Sequence, residues 1–346
     1  MINYQGDKTY KIFCLSTDVK PTLNASSGGS YLFEIDTGKT YIYNSEGQSW
    51  AEYSESGGGG GDDKSAQTLK ELLEGTITEL DTGDITKLGD YALANSPSLV
   101  SVVAPKVTSI GYSCFFGCRS LTSITANNVS TIGIYAFTGA TKLSSFNAPR
   151  LTELSSAAFS GCTKLKTFLI SESLKASYSC VTDSVFYNCA SLETAIDFPN
   201  AVTVESDAFY GCTNIPSVNM PKLKVTKYRS FGAMKKITEL NFPDIITWDS
   251  YACAQCTALT KVDFGTSIKV IQTQSFSDTA LKTLIIRNTT AVPTLSATSA
   301  FNNTPIATST EEGFIYVPDA LVESYKTATN WSTFASKIKP LSELSE

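Results

Sequence analysis

Histidine is absent from the whole 346-residue chain, which removes the commonest general base and the commonest imidazole ligand for metals. Charge is sparse as well, at 17% of residues with a net charge of −6, so no basic surface for nucleic acid is expected. The imbalance is local: residues 1–74 hold 6 Lys and Arg against 11 Asp and Glu, whereas 75–346 hold 21 against 22. Long apolar runs are also missing. Met1 to Leu15 alternate polar and apolar types, so neither an ordinary export signal nor membrane insertion is expected.

The motifs that suggest catalysis are thin. Asp36-Thr37-Gly38 and Asp81-Thr82-Gly83 echo the paired aspartates of aspartic proteases. Lys39 and Asp84 follow them where Ser or Thr is usual, and both triplets read as turns. In Gly57 to Ser65, Asp62 and Asp63 stand before Lys64, where their charge would repel a phosphate. No catalytic residue, cofactor site or metal site is expected, and an enzyme is not the reading these residues favour.

What is present is a period. A Leu or Ile recurs at 99, 121, 143, 165, 192, 215, 237, 259 and 281, in steps of 22, 22, 22, 27, 23, 22, 22 and 22. Such a chain stacks single coils, each covered by its neighbours. Three residues after the closing position stand Val102, Ile124, Phe146, Phe168, Val218, Leu240, Val262 and Leu284. A second inward pair follows, as in Val107 with Ile110, Val129 with Ile132 and Leu151 with Leu154. Pro105, Pro149, Pro221 and Pro243 mark corners, since proline cannot donate to a ladder. Phe115, Phe137, Phe159, Phe186, Phe209 and Phe231 form an aromatic column, and Gly117, Gly139, Gly161 and Gly211 follow it where positive φ is expected.

The cysteines keep the same register. Cys118, Cys162, Cys189, Cys212 and Cys256 precede a closing residue by three, Cys114 sits in a small-residue column and Cys253 in the Phe column. A zinc site at Cys114 and Cys118 or Cys253 and Cys256 lacks histidine, and Cys189 with Cys212 is the pair a disulfide could span. Free buried thiols are expected, in a reducing compartment.

The string Leu-x-x-Ile/Val-x-x-Pro-x-Val-x-x-Ile-Gly-x-x-Ala-Phe-x-Gly-Cys-x-x-Leu, nearly whole from Leu121 to Leu143 and from Leu143 to Leu165, resembles the BspA-like class of leucine-rich repeats over about 75–306. The resemblance implies a right-handed solenoid with a parallel sheet of short strands on one face and loops, short helices or second strands on the other. A bulge is expected at 171–181, where five extra residues enter, and a weak coil before Leu281, where the Gly-Cys step is lost.

The expected organisation is a β-rich solenoid with accessories at both ends. Residues 1–56 form a small β module, with a hairpin of Tyr31 to Ile35 and Thr40 to Tyr43 and a third strand at Tyr10 to Leu15; 57–61 are a glycine linker. Residues 62–74 form a helical N-terminal cap through Leu69, Leu72 and Leu73, and 75–306 are the solenoid. Residues 307–346 are a helical C-terminal cap, with Phe314 to Val317 as the last strand and a helix from Asp319. Val322, Tyr325, Trp331, Phe334 and Ile338 are its inward residues. The module order and the tail resemble virion proteins of bacteriophages infecting gut Firmicutes. That resemblance implies a non-enzymatic fibre or spike made in the host cytoplasm. Residues 1–56 would dock on other virion proteins or form a homo-oligomer, and the solenoid would meet a host glycan or protein. A bacterial cell-surface adhesin or scaffold is the alternative.

Two surfaces are candidates for binding. Alternation puts Ser101, Ser123, Ser145, Thr167, Ser217, Glu239, Lys261 and Thr283 outward in one column of the sheet, with Thr125, Asn147, Asn219, Asn241 and Asp263 in the next. Glu239, Asn241, Lys261 and Asp263 are the expected contacts, against the plainer reading of a solvated sheet. The other is a ridge of Tyr112, Tyr135, Tyr228, Trp248 and Tyr251, where Trp248 and Tyr251 could stack on sugars or pack against the next coil.

Overall fold

The computed structural model describes residues 11–14, 31–34, 40–44, 49–52, 76–169, 171–308 and 312–344. The expected glycine linker at 57–61 and cap helix at 62–74 lie outside these residues. In the leader, Tyr31–Glu34 pairs antiparallel with Thr40–Asn44, as the hairpin signal predicts. Lys11–Cys14 adds a parallel strand on one side. Ser49–Glu52 adds an antiparallel one on the other, with Trp50 opposite Tyr43. The sheet has one strand more than the alternation suggested.

From Ile77 onward the chain winds as a solenoid with two stacks of short parallel strands per coil. One stack includes Ser101–Val103 and Ser123–Thr125, and later Glu239–Phe242, Lys261–Phe264 and Thr283–Ile286. The other runs through Lys87–Leu88, Ser109–Ile110, Thr131–Ile132 and Glu153–Leu154, and resumes from Cys180–Val181 to Thr294–Leu295. Strand partners lie a whole repeat apart, so Val102 lies beside Ile124 and Leu240 beside Val262. The period therefore sets the register, and identical columns meet face to face. None of the nine closing residues is more than 1% exposed. Each such burial contributes roughly 1.5–3 kcal/mol. The Phe column stacks along the axis, with Phe115, Phe137 and Phe159 at 5.0 Å steps.

The third side is made of turns held by a ladder of their own. Each coil uses two left-handed residues four apart, such as Ser113 and Gly117, Tyr135 and Gly139, or Asp207 and Gly211. Alternate amides then donate to the next coil: Ser113 to Ile134 at 2.9 Å, Phe115 to Ala136 at 2.7 Å and Gly117 to Thr138 at 2.8 Å. The amides between them close local turns, as Phe116 does on Ser113. On the turn side, backbone groups are thus satisfied between coils as well as within them.

The eight cysteines of the solenoid, Cys114 to Cys256, are free thiols. Five repeat one contact, each Sγ donating to a carbonyl of the preceding coil: Cys118 to Leu93, Cys162 to Phe137, Cys189 to Phe159, Cys212 to Phe186 and Cys256 to Phe231. Cys189 and Cys212 are therefore two members of a column. Burial pushes the Cys118 thiol up to about 11, so it stays protonated and inert at neutral pH.

The extra residues at 171–181 form a helix, Glu172–Ser177, with Ser171 as its N-cap accepting from the Leu174 amide at 3.0 Å. No strand pairing joins Glu153–Leu154 to Cys180–Val181. Hydroxyls replace it. Ser171 Oγ donates to the Leu151 carbonyl. Ser177 Oγ donates to Thr152 at 3.0 Å, and Tyr178 Oη to Leu154 at 3.1 Å. Lys175 adds a bridge to Asp197 at 2.8 Å. Turn-side bonds run through without a break, with Ala157 donating to Asp183 at 2.8 Å and Gly161 to Tyr187 at 2.7 Å. The bulge is a seam that side chains close.

Two further expectations are corrected. The coil before Leu281 is regular: Asp278 takes the left-handed place of glycine, Phe276 is fully buried, and Thr279 Oγ1 donates to Phe276 at 2.8 Å. At the C-terminus, Val322–Thr327 is helical and Trp331–Lys337 is a 3-10 turn. Ile338 does not continue the helix. Asn330, at φ 64, breaks it, and Ile338–Pro340 pairs parallel with Phe314–Val317. The tail thus adds one more strand beyond the expected last one. Tyr325, Trp331 and Phe334 are buried as cap core, and Trp331 Nε1 donates to Pro293 at 2.7 Å.

Candidate functional site

The six residues singled out from the sequence fall in three different places. Four share the outward face of adjacent strands, where Glu239 is in register with Lys261 and Asn241 with Asp263. Glu239 and Asn241 are exposed, and Lys261 and Asp263 half-buried. Asp263 already has a partner. Arg287 grips its carboxylate with Nε at 2.9 Å from Oδ1 and an Nη at 2.7 Å from Oδ2, a bidentate geometry that fixes both side chains. Arg287 lies one coil on, and nothing in the sequence except the 22-residue register joins the two.

The face is less uniformly polar than the serine column suggests. Val103 and Leu169 are 44% and 52% exposed in the Thr125 and Asn147 column. In that column Ile285 lies beside Asp263 and is buried. Near the C-terminal end Lys339 Nζ sits 4.2 Å from the Phe314 ring centre, a cation over an aromatic face.

Trp248 is not on any ridge. It is fully buried, stacked between Phe231 at 6.2 Å and Phe276 at 5.7 Å. The reason lies in the neighbouring column. Cys253 replaces a Phe there, and the indole fills the volume that the missing ring leaves, keeping the stack continuous. Trp248 stands eleven residues after Ile237, the inward column of Ile110 and Ile132, and that count was the signal that identifies it as core.

Tyr251 does sit on the turn side, half-buried, with its ring 5.4 Å from Tyr228 in an edge-to-face pair. Arg229 lies between Tyr210 and Tyr228, 4.6 and 4.8 Å from the ring centres. Asp207 holds the guanidinium at 2.8 Å. Tyr187 stacks on Tyr210 at 5.6 Å. A second group in the first coils joins Tyr91 to Tyr112 at 5.2 Å and Tyr112 to Tyr135 at 5.8 Å. Phe116 and Ile134 lie nearby at 40% and 41% exposure. Sequence reasoning named Tyr112, Tyr135, Tyr228 and Tyr251 but missed Tyr187, Tyr210 and Arg229, which only the coil register brings alongside.

Among the described residues no group of three or more Cys, Asp or Glu is placed to hold a metal ion. No described helix is long and apolar enough to cross a membrane.

A family model described as "BspA type Leucine rich repeat region" matches residues 86–180 and 179–307. No curated protein matches the chain. Among solved structures, a leucine-rich cell surface protein from Faecalibacterium prausnitzii is 17% identical, covering 88% of this chain and 93% of that one with a TM-score of 0.44. A leucine-rich repeat protein from Eubacterium ventriosum is 16% identical, covering 79% and 94%, with a TM-score of 0.40. The pneumococcal vaccine antigen PcpA is 15% identical, covering 77% and 76%, with a TM-score of 0.45.

Proposed function

Since the chain belongs to the BspA-type leucine-rich repeat family, we propose that it is a non-enzymatic binding module whose solenoid adheres to a glycan or protein on a cell surface. The observation that carries this reading is the division of labour in the coils. Packing and inter-coil bonds use the Phe and Cys columns, while exposed side chains form aligned columns that repeat along one axis. A stack of this kind offers a long surface of repeated contacts. On the sheet face the contacts are Glu239, Asn241 and Lys261, with Asp263 braced by Arg287. A pull-down of cells by the full chain tests the reading: binding should be measurable. Binding unchanged by Glu239→Ala and Asp263→Ala removes the sheet face from contention.

The finer reading is a fibre or spike on a bacteriophage particle, with residues 1–56 docking on other virion proteins or on copies of themselves. What favours it is a leader with a four-stranded sheet of its own, followed by the five glycines of 57–61. Mass spectrometry of purified virions decides between this placement and a bacterial cell surface. Absence from the particles rejects it.

A further inference from the structure

The turn side carries large side chains where the backbone asks only for a left-handed residue. Tyr91, Tyr135, Arg229 and Tyr251 have φ of 57, 59, 52 and 58, a region that bulky residues occupy at a cost and that glycine or asparagine occupies readily. Equivalent coils manage with Ser113, Ala157 and Ser184, so the fold does not require the rings. The core does not use them either, since Tyr135 and Tyr228 are 41% and 42% exposed. They pack on one another across coils, with Arg229 locked by Asp207. The result is two rigid aromatic groups on one side of the coil stack, separated by coils that place small residues such as Ser156, Ser160 and Ser206 at the corresponding positions.

From this arrangement we propose that the turn side binds a linear, neutral glycan lying along the solenoid axis. The inference rests on the adhesive reading above and assigns its glycan contact to this side instead of the sheet face. Three features select that partner. The rings recur coil by coil at 5.2–5.8 Å, and a surface that repeats along one axis is matched by a polymer that repeats along one axis. Ring faces carry negative quadrupole density that attracts the polarised C–H groups of a pyranose, while Tyr and Ser hydroxyls serve its hydroxyl groups. The cluster's cation is neutralised by Asp207 at 2.8 Å, so it does not select an anionic chain.

The test uses the full chain in an adhesion assay on bacterial cells and on immobilised linear, neutral polysaccharides (amylose and a β-1,4-glucan). Tyr135→Ser and Tyr228→Ser introduce the residue that other coils already carry at those places, so the coils should stay folded, with circular dichroism as the check. Each is expected to weaken adhesion at least tenfold, while Glu323→Ala on the C-terminal cap helix leaves it unchanged. Treating the surface with periodate and endoglycosidases should abolish adhesion, and trypsin should spare it. Adhesion that survives both Tyr substitutions together, or that trypsin removes and glycan destruction does not, overturns the glycan assignment but leaves an adhesin with a protein partner. A full chain that adheres to nothing defeats the wider reading instead.

Discussion

Tyr178→Phe deletes one oxygen at the seam and leaves the packing in place. The ring is buried 5.1 Å from Phe198, so the substitution opens no cavity. Its hydroxyl donates to the Leu154 carbonyl at 3.1 Å, accepts from the Thr182 amide at 3.3 Å and meets Thr182 Oγ1 at 3.0 Å. Without it, Leu154 keeps only Thr182 Oγ1 at 3.4 Å, and the Thr182 amide loses its acceptor. An unsatisfied buried group costs about 1–3 kcal/mol, and that is the expected destabilisation in urea unfolding. Hydrogen exchange should quicken at Thr182 and not at distant coils, because a stack loses stability locally. Alkali provides a second check. Burial pushes the Tyr178 phenol up to about 12 from an ordinary 10. The native state thus holds its proton more tightly than the unfolded one, and the contribution is complete below pH 10 and lost as pH rises from there through 12. The difference in stability between wild type and Tyr178→Phe should shift across that window. A variant as stable as wild type, with unchanged exchange at Thr182, would refute the account of a seam closed by hydroxyls.

Three further outcomes follow from the columns. Phe159→Ala removes a fully buried ring that touches Phe137, Phe146, Phe168 and Phe186, and should cost about 3–5 kcal/mol in urea unfolding. Gly211→Ala places a Cβ at φ +76 and against the Asn188 side chain; a loss of roughly 1–2 kcal/mol is expected from the backbone alone. The double variant with Asn188→Gly should recover the part due to the clash, as thermal melting can show. In a thiol titration of native protein the buried cysteines should react slowly, with Cys180, half-buried, reacting first among the eight of the solenoid; denaturation should expose all nine thiols of the chain. Fewer than two reactive thiols after denaturation would contradict the free-thiol column.

What the chain revealed in advance depended on period, because a column read once is read many times. Closing residues, Phe and Cys columns and corner prolines could be assigned from spacing alone. Failures came where one coil compensates for another. Trp248 reads as a surface aromatic until Cys253 is seen to leave a gap for it. The insertion reads only as a bulge until Ser171, Ser177 and Tyr178 are seen to serve the carbonyls of the previous coil. Ile338 kept helical spacing with Phe334, but Asn330 and the open edge of Phe314–Val317 turned it into a strand. The Tyr and Arg cluster exists only in three dimensions, since Arg229 and Tyr210 are separated in sequence and adjacent only across coils.

The seam also has a mechanical meaning. Coils in a stack are links in series, and a load applied at the two ends passes through every one of them. At most junctions three lines of backbone hydrogen bonds share that load. At the seam the line between Leu154 and Val181 is made of side-chain hydroxyls, with freedom to rotate away and rebond, and on the sheet face no strand pairing joins Thr167–Leu169 to Ile196–Asp197. A chain pulled at its two ends would yield there first, letting two halves hinge apart while the turn-side bonds from Ala157 and Gly161 keep them tethered.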